Sequence, residues 1–269
     1  MREKFGREYI ETEFQELGGG LKTSLEIYLI GGGAMSFLNL KDATKDIDVV
    51  VSDTSDLSSL VEALKERDYE KVKEPDTEYE KLGASAILEN EDSCRFDIFD
   101  RQVADKLIFS EGMKERSEVL MAPGNLTVKL TSSEDIFLFK SVAGRSTDID
   151  DMNTLVQTGL DFDTVEEEIE RQTELLDEEL FVTYIGEALG ELQERHGVTI
   201  PLTEYVQERS KPVYEQLELL MAVQEKEPVS TERLIKETEV EEEVAKERLK
   251  RLKEMGKIRR ENGYWVEEE

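Results

Sequence analysis

Asp46 and Asp48 open a β-branched run, Thr44-Lys45-Asp46-Ile47-Asp48-Val49-Val50-Val51, and Gly31-Gly32-Gly33 lies a short way upstream. In a strand, residues i and i+2 point to the same side, so the two carboxylates stand together on one face. Like charges that close repel, and a cation relieves them. A glycine-rich turn lets a phosphate approach backbone N–H groups. The combination predicts a site for a metal ion and a nucleotide.

Nucleotidyl transfer asks for two divalent cations roughly 3.5–4 Å apart, held by carboxylates, which clamp the attacking and leaving oxygens. Asp97 is the best third carboxylate, because it falls mid-strand among Phe96, Ile98 and Phe99. A charge in such company is costly unless it is paired or metal-bound. Asp100, at the strand end, is a weaker candidate. Cys94 is the only cysteine and His196 the only histidine. That composition excludes zinc fingers and Cys/His dyads. It also leaves a serine triad dependent on His196, which falls at a helix end suited to a cap or a surface role. Catalysis must run on carboxylates, lysines and metal ions.

The elements that would position these groups are legible. Residues 1–20 start helical and pass into Gly18-Gly19-Gly20, a flexible joint. Leu25–Ile30 reads as a buried strand, Gly31–Gly33 as a turn, and Ala34–Leu38 as the start of a helix. Asp46–Val51 is the second strand. Leu57, Leu60, Val61 and Leu64 keep a helical period, with Ser55 or Asp56 as cap. Ala84–Leu88 and Cys94–Phe99 form an antiparallel hairpin across Glu89–Asp92, with Phe96 and Ile98 facing one way and Asp97 and Phe99 the other. Leu126–Leu130 is a strand, and Ser132-Ser133-Glu134-Asp135 starts a helix that carries Ile136–Val142. A helical extension runs from about 148 to 205. The fold class is α+β, a mixed sheet with flanking helices.

The 269 residues suffice for one medium domain and a small one, and 38% apolar content suits a globular chain. No stretch approaches the roughly 20 apolar residues of a membrane helix. Met1-Arg2-Glu3-Lys4 lacks the apolar core of a secretory signal, so a cytoplasmic, non-membrane location is expected. The net charge is −30, from 64 acidic and 34 basic residues. This disfavours nonspecific contact with nucleic acid or anionic lipid and matches the bias of salt-adapted, halophilic proteomes.

Gly32-Gly33-Ala34, then Thr44–Asp48, then a later strand aspartate resemble the DNA polymerase beta-type nucleotidyltransferase superfamily. The nearer likeness is to its small prokaryotic branch, which includes toxin-like enzymes of abortive-infection and toxin–antitoxin systems. That branch carries a helical lysine followed by a Gly-Arg-x-x-Asp-x-x-Asp pattern. Here it stands as Lys140-Ser141-Val142-Ala143-Gly144-Arg145-Ser146-Thr147-Asp148-Ile149-Asp150-Asp151. The resemblance covers roughly residues 25–156. It implies a nucleotidyltransferase that moves an NMP from an NTP to a hydroxyl of RNA, protein or a small molecule. In that reading Asp46, Asp48 and Asp97 bind two Mg²⁺, or Mn²⁺, and Asp97 also helps deprotonate the acceptor. Gly32 and Gly33 cradle the triphosphate, and Lys140 meets a phosphate or developing charge. Arg145 and Asp148 brace the Lys140 helix against the sheet or help bind substrate, and Lys45 touches substrate. The superfamily's usual glycine-serine pair is here glycine-glycine, with Ser36 as the substitute hydroxyl. The alternative is a catalytically silent relative that serves as a regulatory or binding module.

The last segment has its own order: helices over Val213–Val223, Arg233–Glu237 (capped by Ser230-Thr231) and Val240–Met255, then a hairpin with an Asn262-Gly263 turn. Pro201 and Pro212 mark the change. This is the order of a winged helix-turn-helix, and it divides the chain into a 1–205 domain and a 206–269 winged-helix domain. Lys246, Lys250, Lys253, Lys257, Arg259 and Arg260 are its candidate DNA contacts, with Tyr264-Trp265 as packing of the wing. Glu241, Glu242 and Glu243 sit where base readout usually occurs and oppose it. Docking of a protein or RNA substrate, or a homodimer, is the competing expectation.

Overall fold

The computed structural model describes residues 3–72, 83–176 and 180–268. The chain divides into two compact units, Met1–Ile200 and Pro201–Glu269. In the first, β1 (Phe5–Gly6) and α1 (Arg7–Gly20) lead into β2 (Leu25–Leu29) and α2 (Gly31–Phe37). Then come β3 (Ala43–Thr44), β4 (Asp46–Val51), α3 (Thr54–Lys65), β5 (Glu70–Lys71), β6 (Ala86–Glu89) and β7 (Arg95–Asp100). β8 (Gln102–Val103), β9 (Leu107–Ile108), α4 (Glu111–Arg116), β10 (Glu118–Met121) and β11 (Leu126–Leu130) follow. The unit closes with α5 (Ser133–Ala143), α6 (Ser146–Gln157), α7 (Phe162–Leu176) and α8 (Leu180–His196).

Among the described residues, seven strands make one mixed sheet in the order β10-β11-β2-β4-β7-β6-β5. β2 runs antiparallel to β4 and parallel to β11, while β4 runs parallel to β7. This is the expected α+β architecture with flanking helices. Strand alternation sorts the two faces. Phe96 of β7 turns towards Phe14 of α1 and Tyr69, at centroid separations of 6.2 and 5.4 Å. On the opposite face, Tyr28, register partner of Val50, meets Phe109, which stacks on Phe139 of α5. Both faces are therefore covered, and Asp46 of β4 and Asp97 of β7 are carried into the packed interior.

Several boundaries differ from the sequence reading. Gly18-Gly19-Gly20 is no joint but the last turn of α1, where a Cβ on Gly18 would strike the Pro123 carbonyl. Packing against that backbone requires glycine at Gly18, the first of three residues of poor helix propensity. Gly31–Gly33 is likewise the first turn of α2 rather than a preceding turn. Asp53, not Ser55 or Asp56, caps α3 by accepting from both of their backbone N–H groups. The hairpin shifts by one residue: Glu89 pairs with Arg95, and residues 90–94 form the turn, which Asn90 closes by accepting from the Cys94 N–H.

The second unit consists of α9 (Leu202–Lys226), α10 (Thr231–Glu237), α11 (Glu242–Glu254), β12 (Ile258–Glu261) and β13 (Tyr264–Glu267). Pro212, read as a break, lies inside α9. Ser230 caps α10 as expected, accepting from the Arg233 N–H. Asn262 and Gly263 both take positive φ, 50° and 91°, which is what a two-residue hairpin turn demands. Trp265 is buried with Val229, Leu234, Leu249 and Ile258, and its Nε1–H donates to Thr231 Oγ1 at 2.9 Å.

Candidate active site

Parallel pairing places Asp48 directly opposite Asp97, and Asp46 opposite Arg95. Register partners on neighbouring strands lie about 4.8 Å apart and project to the same face. Asp46, Asp48 and Asp97 therefore share one face, although nearly fifty residues of chain separate the last two. Asp97 is 1% exposed and Asp46 8%. Burial, and then the neighbouring Asp46, push the Asp48 carboxyl up to about 6, against the pull of Arg145 and Lys140.

The glycines stand at this acidic face. Ile30 N–H donates to the Asp48 carbonyl at 3.0 Å, which joins the end of β2 to β4. Gly31 follows with φ +63°, and a Cβ there would run into the Asp48 carboxylate. Only glycine meets both demands. A Cβ on Gly32 would stand 2.6 Å from Thr44 Oγ1, and one on Gly33 3.1 Å from Leu29 Cδ1. The sequence reading assigned importance to Gly32 and Gly33; the tightest constraint is on Gly31. Ser36, the suggested substitute hydroxyl, instead donates to the Gly32 carbonyl at 3.2 Å within the helix.

Lys140 lies in α5 with its side chain 6% exposed. Its Nζ donates to Asp148 Oδ1 at 2.8 Å and lies 2.8 Å from Asp151 Oδ2. Burial opposes its charge, but Asp148 and Asp151 outweigh burial and hold the ammonium above the usual lysine range. Asp148 is fully buried at the start of α6. It accepts from the Arg145 backbone N–H at 3.2 Å and from Nε at 2.7 Å. Burial again opposes charge there, and Lys140 and Arg145 overcome it and hold the carboxyl below its usual range. Lys140, expected at a phosphate, is thus committed to carboxylates of α6. Arg145 and Asp148 form a capping box at the start of α6, and Asp148 ties Lys140 of α5 to it. Lys41, which that reading passed over, joins the network by donating to both Asp151 oxygens at 2.8 Å.

Other candidates fall away from the acidic face. Lys45 is exposed. Asp100 accepts from Thr54 Oγ1 at 2.9 Å and from Arg101 Nε at 3.2 Å. His196 ends α8, with Nε2 3.0 Å from Asp150 Oδ1, a surface role.

Three carboxylates on one face are hard oxygen donors of the kind Mg²⁺ takes. Among the described residues, no three His, Cys, Asp or Glu side chains stand as a group that could hold a metal ion. Mg²⁺ rarely uses an all-protein cage, since it binds through one or two carboxylates together with water and substrate phosphates. The chemistry of these oxygen donors, though not a preformed group, is of the kind such an ion takes. No helix among the described residues is long and apolar enough to cross a membrane. No protein of curated function matches the chain. Residues 9–183, which hold the three aspartates, the glycine run and the Lys41–Lys140–Asp148–Asp151 network, match the family described as "Nucleotidyltransferase of unknown function (DUF6036)", and the chain belongs to that family.

Proposed function

We propose that the first unit is a Mg²⁺-dependent nucleotidyltransferase that moves an NMP from an NTP to a hydroxyl of an acceptor. The observation that carries this is the β4–β7 register, with Asp48 opposite Asp97 and Asp46 two residues away on the same face. Asp46, Asp48 and Asp97 would hold the divalent ions, whose chemistry is to neutralise the phosphates and activate the attacking oxygen. Asp97, the most buried of the three, takes the acceptor proton. Gly32 and Gly33, in the first turn of α2, would cradle the triphosphate, and the missing side chains of Gly31–Gly33 let Asp48, Thr44 and Leu29 pack close to that turn. Lys140, Arg145 and Asp148 set the position and electrostatics of the neighbouring helix and act on the aspartates through space. The likeness of motifs to abortive-infection enzymes extends the reading to a toxin-like role.

For the second unit we infer a winged helix that docks a protein. What speaks for protein over DNA is the pairing of its basic residues. Lys246 lies 2.8 and 2.9 Å from Glu242 and Glu243, and Arg248 3.1 Å from both Glu215 and Glu247. Cations already neutralised release few counterions from a phosphate backbone.

The test is label transfer from each of the four NTPs, with Mg²⁺ or Mn²⁺ and total cellular RNA or protein as acceptor, comparing wild type with Asp48→Asn. Transfer by the wild type alone is expected. Silence of the wild type under every metal and acceptor refutes the enzymatic reading in favour of a binding module.

A further inference from the structure

The chain leaves α2 through Leu38, Asn39 and Leu40, and the next side chain returns over the first turn of that helix. A Cβ built on Gly32 would stand 3.8 Å from Lys41 Cδ. Lys41 Nζ then reaches α6 and donates to both oxygens of Asp151 at 2.8 Å. Lys140 Nζ is 2.8 Å from Oδ2 of the same carboxylate. One carboxylate thus serves two ammonium groups. Lys41, Lys140 and Arg145 face Asp148 and Asp151, with Asp48 also in the field of Lys140 and Arg145.

The two lysines are not equivalent. The Lys140 side chain is 6% exposed and the Lys41 side chain 30%. A buried ammonium that gives up its carboxylate pays the full desolvation penalty. A part-exposed one on a flexible four-carbon stem exchanges partners readily, and lysine binds phosphate as a point charge. When Lys41 leaves, Lys140 still neutralises Asp151, so the exchange strands no buried charge.

We infer that Lys41 is the cation that takes the polyphosphate of the nucleotide, with Asp151 as the carboxylate it releases in exchange. This rests on the nucleotidyltransferase reading above. It adds a ligand-binding residue that lies outside both the Asp-x-Asp strand and the lysine–arginine helix.

The experiment is titration calorimetry of the full chain with inorganic tripolyphosphate and Mg²⁺, then with each NTP and Mg²⁺. Lys41→Met keeps the stem over Gly32 and removes the charge. It is expected to weaken both kinds of ligand by about tenfold or more, whereas Lys41→Arg stays within about threefold of wild type. Lys22→Ala removes a surface charge elsewhere and is expected to change nothing. Circular dichroism checks that each variant is folded, and Lys41→Gln is read in place of Lys41→Met if the latter is not. Wild-type affinity in a folded variant without the charge overturns the assignment of Lys41 and leaves the enzymatic reading standing. Failure of the wild type to bind any NTP or tripolyphosphate sinks that reading, and the assignment of Lys41 with it.

Discussion

Replacing Asp48 by asparagine is expected to stabilise the metal-stripped protein while abolishing transfer. Burial and the adjacent Asp46 raise the Asp48 carboxyl from its ordinary 3.8 to about 6. A carboxyl raised in the folded state binds more protons folded than unfolded between those two values, so stability falls as pH climbs through that window. At about 1.4 kcal/mol for each tenfold change, the ionised group opposes folding by about 3 kcal/mol above pH 6. Asp48 is part-exposed, and solvent screening trims this to about 1–3 kcal/mol. Asparagine keeps the shape and removes the charge. For a unit of this size the gain in Tm is about 2–10 °C. The assay is thermal melting by circular dichroism in EDTA at pH 8 and pH 5. The difference should be full at pH 8 and smaller at pH 5, where the wild-type carboxyl is largely protonated. Added Mg²⁺ should then raise the wild-type Tm and leave the variant's unchanged. An Asp48→Asn protein that melts at or below the wild-type temperature at pH 8 would show that the acidic face is not held against its own repulsion, and the argument for a cation there would fall.

Gly31→Ala puts a Cβ into the Asp48 carboxylate at a positive φ, and is expected to cost about 1–3 kcal/mol and most of the transfer activity. Gly33→Ala meets only the end of the Leu29 side chain and should melt within a few degrees of wild type in the same scan. Asp148→Ala removes one of the two carboxylates on buried Lys140 and the carboxylate of part-exposed Arg145, and should cost about 3 kcal/mol in urea unfolding, whereas exposed Lys45→Ala should cost nothing measurable. Burial pushes the Cys94 thiol up to about 12, so at pH 8 it should resist a thiol reagent in the native protein and react at once in guanidinium; rapid native labelling would contradict the packing of the turn that enters β7.

The acidic face was legible in the sequence because strand alternation is a strict period: Asp46 and Asp48 had to share a side, and the Phe96-Asp97-Ile98 alternation gave the third. What alternation cannot supply is the register between strands, which sets Asp48 rather than Asp46 beside Asp97. The glycine run was misread as a turn because propensity disfavours glycine in a helix, and here the close approach of Asp48 and Thr44 overrides it. At Gly18 the reason is similar, with Pro123 as the neighbour. Lys41 carried no signal, since its role depends on Asp151, more than a hundred residues away and read only as part of a charge run. Pro212 was taken for a break although a long helix accommodates it.

The chain has one tryptophan, Trp265, and it lies in the core of the second unit. Intrinsic indole fluorescence therefore reports that unit alone, and the nucleotidyltransferase unit is dark at tryptophan wavelengths. A denaturation curve followed by emission and one followed by far-ultraviolet ellipticity will superimpose only if the two units unfold as one. Any change in emission when a nucleotide is added would be an optical record of a signal passing from one unit to the other.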